Sequence, residues 1–127
     1  MPFKIFPQED DLIHIQFIGD FDDVDAIEYE KELETHQSKA DMQGKKLNCY
    51  VDGSKFKSFS VEARRSQARL NADPRIGNIA VTGASRIVRI MAQFVLIASG
   101  RKNIRIFNTK DEAMEWLTSS NGAKRVI

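Results

Sequence analysis

At 127 residues, 42% of them apolar and 29% charged, the chain can bury one core and is too ordinary in composition for wholesale disorder, so a single domain over 1–127 is expected. A lone cysteine, Cys49, excludes an internal disulfide or a thiolate metal cluster and suits a reducing cytoplasm; the N-terminus lacks an exporting signal, and no run reaches the roughly 20 apolar residues of a membrane span. The net charge of +1 hides a split, with 12 acids against 3 bases in residues 1–44 and 6 against 16 in residues 45–127, which can steer an anionic partner or orient self-association.

In chain order, Phe3 to Phe6 and Leu12 to Ile18 are strands separated by the polar turn Gln8-Glu9-Asp10-Asp11, and they read as a hairpin. Ile13, Ile15 and Phe17 share one face of the second strand, which leaves His14 and Gln16 on the more polar face. Asp20, Asp22, Asp23 and Asp25 crowd the start of a helix from Asp22 to about Ala40, where carboxylates cap the free amides and complement the dipole. That helix is acidic and reads as mostly solvated. Leu47 to Val51 is a strand ending at Asp52-Gly53, and Ser60 caps a helix through Leu70 that Asn71-Ala72-Asp73-Pro74 terminates. Ile76 to Thr82 is a strand, Gly83-Ala84 a turn, and Ser85 the cap of a helix to Ser99 that Gly100 stops. Ile104 to Phe107 is the last strand. Thr109 and Glu112 then have capping-box spacing before a helix whose buried stripe is Ala113, Met114, Trp116 and Leu117. The order ββαβαβαβα requires crossover connections, hence an α/β fold with a mostly parallel sheet and an antiparallel N-terminal hairpin at its edge.

No motif specifies a reaction. Val81-Thr82-Gly83-Ala84-Ser85 begins like a dinucleotide loop, but Ile87 and Arg89 stand where further glycines are needed for the backbone to approach a pyrophosphate. A turn of this kind can still hold an anion on backbone amides, helped by Arg86. The aspartate cluster fails as a calcium loop: counted from Asp20 or Asp23, the fifth position is Val24 or Ile27, and the sharp-turn glycine is missing. His14 and His36 lack patterned partners, so no metal and no cofactor is expected. Cys49 reads as a small buried thiol, and Asp52 and Ser54, taken to lie beyond a strand's C-terminal end, read as contact residues.

The succession YVDGSKFKSFSVEARR, then IAVTGASRIVRIMAQFVLIASGRKNIRIF, then DEAMEWL resembles the SpoIIAA-like proteins, small bacterial relatives of the STAS domain, along nearly the whole chain. The resemblance implies a four- or five-stranded sheet backed by helices, a fold also compared with the CRAL-TRIO lipid carriers, and it implies binding rather than catalysis. In the sporulation protein that names the group, a serine at the start of the helix after the third strand is phosphorylated and the partner complex breaks. Aligned on that strand, Ser60 stands where the family has an aspartate, and Val61 and Glu62 stand where the serine falls. The switch motif is absent, and Ser58 and Ser60 are the nearby hydroxyls.

The most unusual segment is SRIVRIMAQFVLIAS, Ser85 to Ser99. Ile87, Ile90, Met91, Phe94 and Ala98 form one apolar face at helical spacing, and Val95, Leu96 and Ile97 extend it around the helix. Arg86 and Arg89 precede this surface, Arg101 and Lys102 follow it, and Arg64, Arg65 and Arg69 of the preceding helix add charge. An ordinary buried helix, a dimer contact and a site for an apolar or anionic ligand are all compatible with the pattern. The leading expectation is a non-enzymatic module binding a lipid or another apolar or anionic ligand through Ser85, Arg86, Arg89, Ile90, Met91, Phe94, Ile97, Arg101 and Lys102, at the inner membrane face. The alternative is a protein-partner regulator of the anti-sigma antagonist type docking through Ser58, Ser60, Glu62, Arg64 and Arg65. Nucleic acid is not expected as a partner, because the basic segment lacks interleaved aromatics and a recognised module.

Overall fold

The protein, seen as a computed structural model, is described over residues 2–83 and 85–126, with side chains described up to residue 119. The elements are β1 (Phe3–Glu9), β2 (Leu12–Phe21), α1 (Asp23–Met42), β3 (Leu47–Phe59), α2 (Val61–Ala72), β4 (Ile76–Thr82), α3 (Arg86–Ser99), β5 (Ile104–Ile106) and α4 (Lys110–Val126). This is the ββαβαβαβα order. The expected turn at Gly83-Ala84 lies partly outside the described residues, at Ala84.

The five strands lie in sequence order across one sheet, β1-β2-β3-β4-β5, with β1 antiparallel to β2 and the other pairs parallel. That order decides where the helices go. Each parallel step moves one strand in the same direction, and a right-handed crossover then deposits its helix on the same face every time. The helices α1, α2 and α3 accordingly share one face. The main core lies beneath them, with Ile13, Ile15, Phe17, Phe21, Tyr29, Leu33 and Leu47 each 7% exposed or less. The opposite face is covered by α4, through Ala113 and Leu117 against Tyr50 and Ala80.

Two sequence expectations change. The strand β3 does not stop at Asp52-Gly53 but continues to Phe59, because β2 also runs on, through two register shifts, and pairs Ile18 to Phe21 with Lys55 to Phe59. Gly53 serves inside the strand as a point of close approach: a Cβ there would lie 3.2 and 3.3 Å from the Val88 methyls of α3. Helix α1 is acidic on its surface, yet it buries Ala26, Tyr29, Leu33, Gln37 and Ala40 along one face, so it is a core helix with a charged outer side.

The caps follow the chemistry of their side chains. Asp22 and Asp25 form a reciprocal capping box on α1, each carboxylate accepting the other's backbone N–H at 2.9 Å. Ser60 and Ser85 accept from the amides of Ala63 and Val88. At α4 the Thr109 hydroxyl accepts from the Glu112 amide and donates to the Glu112 carboxylate. Gly100 ends α3 at φ +70°, a left-handed cap. Arg75 ties α1 to the loop before β4 by pairing with Glu34 at 2.7 Å and Asp73 at 2.8 Å.

Candidate functional site

Helix α3 has two apolar faces with different fates. Val88 and Val95 are buried, and Met91 packs with them against the core. Ile87, Ile90, Phe94 and Ile97 are 37%, 53%, 36% and 73% exposed. Their spacing of i, i+3, i+7 and i+10 places these four on one outward stripe. Met91, grouped with the outward residues on sequence spacing, faces inward, because the helix is apolar around most of its circumference and only the sheet selects which part is covered.

Guanidinium groups flank the stripe. Arg64 of α2 lies 5.8 Å from the centroid of the Phe94 ring, a cation–π distance that places it along one side. Arg86 and Arg89, both exposed, lie along the other. Among the described residues Arg69 pairs with Glu30 and Glu62, and Arg75 with Glu34 and Asp73, whereas Arg64, Arg65, Arg86, Arg89 and Lys102 make no salt bridge. Arg101 is spent on the fold: its Nη1 donates to the carbonyls of Asn71 and Ile76 at 2.9 Å each, satisfying chain ends around α2 and β4. Ser85 acts as the N-cap of α3.

The second group of candidates lies at the start of α2. Ser58 donates to Asp20 at 2.7 Å, and Ser60, besides capping α2, donates to Asp23. Glu62 is held by Arg69 at 3.2 Å. A phosphate on either serine would sit against a carboxylate, and like-charge repulsion would loosen the β2–β3 contact at Ser58 or the α1–α2 contact at Ser60. Arg64 belongs spatially with the α3 stripe rather than with these serines, a grouping that only the α2–α3 contact reveals.

On the opposite sheet face, His14 meets Tyr50 edge to face with ring centroids 4.7 Å apart, and Phe6 likewise at 5.6 Å. Asp52 projects from β3 beside it, accepting from Gln16 at 3.4 Å and from the Ser54 amide at 2.9 Å. Burial and the Lys110 charge lower the His14 pKa, with Asp52 acting weakly against them. No hydrogen bond is recorded between Asp52 and His14, so the two do not form a relay. The aspartates at the start of α1 are engaged in the capping box and in the Ser58 and Ser60 bonds, and among the described residues no group of three or more His, Cys, Asp or Glu side chains is arranged to hold a metal ion. Among the same residues no helix is long and apolar enough to cross a membrane.

One residue that the sequence reading passed over is Gln67. It falls four residues after Ala63 and three before Leu70, the inward spacing of α2, and its Nε2 is buried with no hydrogen-bond partner. The spacing was the available signal; a glutamine's usual preference for the surface obscured it.

A mixed sheet with an antiparallel edge strand, three crossover helices on one face and a closing helix on the other defines a STAS-type α/β protein. The chain belongs to the SpoIIAA-like family, whose model matches residues 12–118. Its fold is similar to that of an uncharacterized protein with a SpoIIAA-like fold from Shewanella loihica PV-4, at 16% identity over 91% of each chain and a TM-score of 0.64. It is also similar to the anti-sigma factor antagonist SpoIIAA in its unphosphorylated form, at 14% identity over 91% of this chain and 97% of that one, with a TM-score of 0.60. No curated protein matches the chain.

Proposed function

We propose that this SpoIIAA-like protein is a non-enzymatic binding module whose α3 face docks on an anionic lipid surface. The observation that carries the reading is the outward stripe Ile87, Ile90, Phe94 and Ile97, bordered on both sides by arginines without acid partners. Sequestering an exposed isoleucine or phenylalanine is worth up to about 1.5–3 kcal/mol, and these four are already partly covered, so each offers a fraction of that. A basic side chain near an anionic leaflet contributes about 1 kcal/mol, which gives Arg64, Arg86 and Arg89 a combined effect of similar size. The sum supports reversible, salt-sensitive attachment at the cytoplasmic face of a membrane.

Flotation with phosphatidylserine-containing vesicles tests this. The protein is expected to float at low salt and to stay behind at high salt, and both Arg86→Gln/Arg89→Gln and Ile90→Asp/Ile97→Asp are expected to reduce the floated fraction severalfold. Failure to float at low salt, flotation of both variants at the level of the unsubstituted protein, or a stable solution dimer that buries the stripe would sink the reading.

A second reading, docking of a protein partner at the start of α2, draws support from the fold shared with an anti-sigma factor antagonist and from the exposure of Val61, at 55%, at that helix start. Here Val61→Glu should abolish recovery of one specific protein in a pull-down and leave vesicle flotation unchanged. Loss of flotation in that variant, or undiminished recovery, would argue against it.

A further inference from the structure

Beneath α3, between it, α2 and the sheet, lies a cavity of about 100 Å³. The sheet contributes Ile15, Cys49 and Val81 to its wall and α3 contributes Val88, Met91 and Val95, while no charged side chain lines it. Two side-chain amides reach it, Asn71 and Gln67, both from α2. They differ in one respect. Asn71 is satisfied, donating to Ser99 and Asn103 and accepting from Asn103 at 2.8 Å. The Gln67 Nε2 is buried and makes no hydrogen bond.

A cavity lined by Gln67 and an unmade hydrogen bond on the same side chain are two separate costs. Native interiors are packed as densely as organic crystals, so a void forfeits dispersion contacts along its lining. A buried amide donor without an acceptor loses about 1–3 kcal/mol, and a leucine or methionine at this position would avoid the loss and fill part of the space. An occupant carrying one acceptor removes both costs at once.

We infer that this cavity is a binding site for a small neutral apolar molecule carrying one hydrogen-bond acceptor, such as a ketone, aldehyde or ester oxygen. The oxygen accepts from Gln67 Nε2 and the hydrocarbon part packs on Val88, Met91 and Val95. An apolar cavity of about 150 Å³ accommodates benzene, so the space of about 100 Å³ here takes a smaller body, of about four heavy atoms. Neutrality follows from the lining: with no cation in the wall, a carboxylate would be buried uncompensated. The site lies on the sheet side of α3 and does not depend on the docking of the helix's outer face, so the two readings fail separately.

Methyl NMR with two matched probes, acetone and isobutene, tests the inference, since they share shape and only the ketone has an acceptor. Both are expected to shift the methyl resonances of Val88, Met91 and Val95. Gln67→Leu should weaken acetone binding roughly three- to tenfold while changing isobutene binding by less than about twofold. Ala92→Leu, which puts a larger side chain on the cavity wall, should abolish both titrations with vesicle flotation unchanged. Unmoved lining methyls with either probe up to its solubility would overturn the proposal, as would equal acetone affinity in the protein and in folded Gln67→Leu. Thermal unfolding of each variant establishes that it is folded when titrated.

Discussion

Gly83 is explained by its backbone conformation. In sequence it stands in a fragment that begins like a dinucleotide loop but lacks the further glycines such a loop needs. In the structure it sits at φ +69°, and a Cβ there would come within 2.6–2.8 Å of the Ser54 amide nitrogen, Cα and Cβ. Glycine is required by a left-handed turn pressed against the neighbouring strand. Gly83→Ala is expected to cost at least about 1–2 kcal/mol from the backbone conformation, with the Ser54 contact adding to it. Urea unfolding measures this, and an unchanged midpoint would contradict it. Cys49 was legible as a buried thiol from its place in a run of β-formers, and it is 3% exposed. Burial pushes its pKa up to about 12, so almost no thiolate exists at neutral pH. A thiol-reactive disulfide reagent should leave Cys49 unmodified in the native protein and label it fully in denaturant; rapid native labelling would show that the strand opens.

Among the elements, the helices announced themselves through their caps, which are local interactions between residues three apart. Ser60, Ser85 and Gly100 were identifiable for that reason. The length of β3 was not, since Gly53 suggests a turn until Val88 of a distant helix is seen to need the space. The burial of α1 was similarly hidden, because Ala26, Tyr29, Leu33, Gln37 and Ala40 are diluted by the charges between them. Its outer side carries a pH-sensitive tie. Hydrogen bonds from Arg75 hold the Glu34 and Asp73 carboxyls below their ordinary values of 4.5 and 3.8. Because the folded-state values are the lower ones, the stabilisation is complete above the ordinary values and is lost as pH falls from them through the lowered ones. Wild type should therefore exceed Arg75→Met in urea midpoint at neutral pH, and the gap should narrow as pH falls below the ordinary carboxyl values. A gap that stays constant with pH would show that the two carboxylates are not the source.

On the scale of the whole molecule, the consequence of the strand order is an unequal pair of sheet faces. Three helices cover one, and α4 covers only part of the other, through Ala113 and Leu117 on Tyr50 and Ala80. Leu117 is 1% exposed, and Leu117→Ala is expected to cost about 2–5 kcal/mol in chemical denaturation. A loss below about 1 kcal/mol would mean that α4 detaches without weakening the sheet.

The amino-acid sequence by itself determined the succession of strands and helices, their caps and the family, because hydrophobic periods and capping side chains act over a few residues. It also located the basic, apolar helix Ser85 to Ser99 as the place to look. Only the tertiary structure decided what that helix does with its surplus apolar surface. Val88, Met91 and Val95 turn to the sheet and wall a cavity, while Ile87, Ile90, Phe94 and Ile97 turn outward between arginines. A helix that is apolar around most of its circumference contains no local instruction about which side is inside. That choice comes from the crossover that sets α3 beside α2, and the same crossover brings Gln67 to a cavity whose other walls come from residues far from it in sequence.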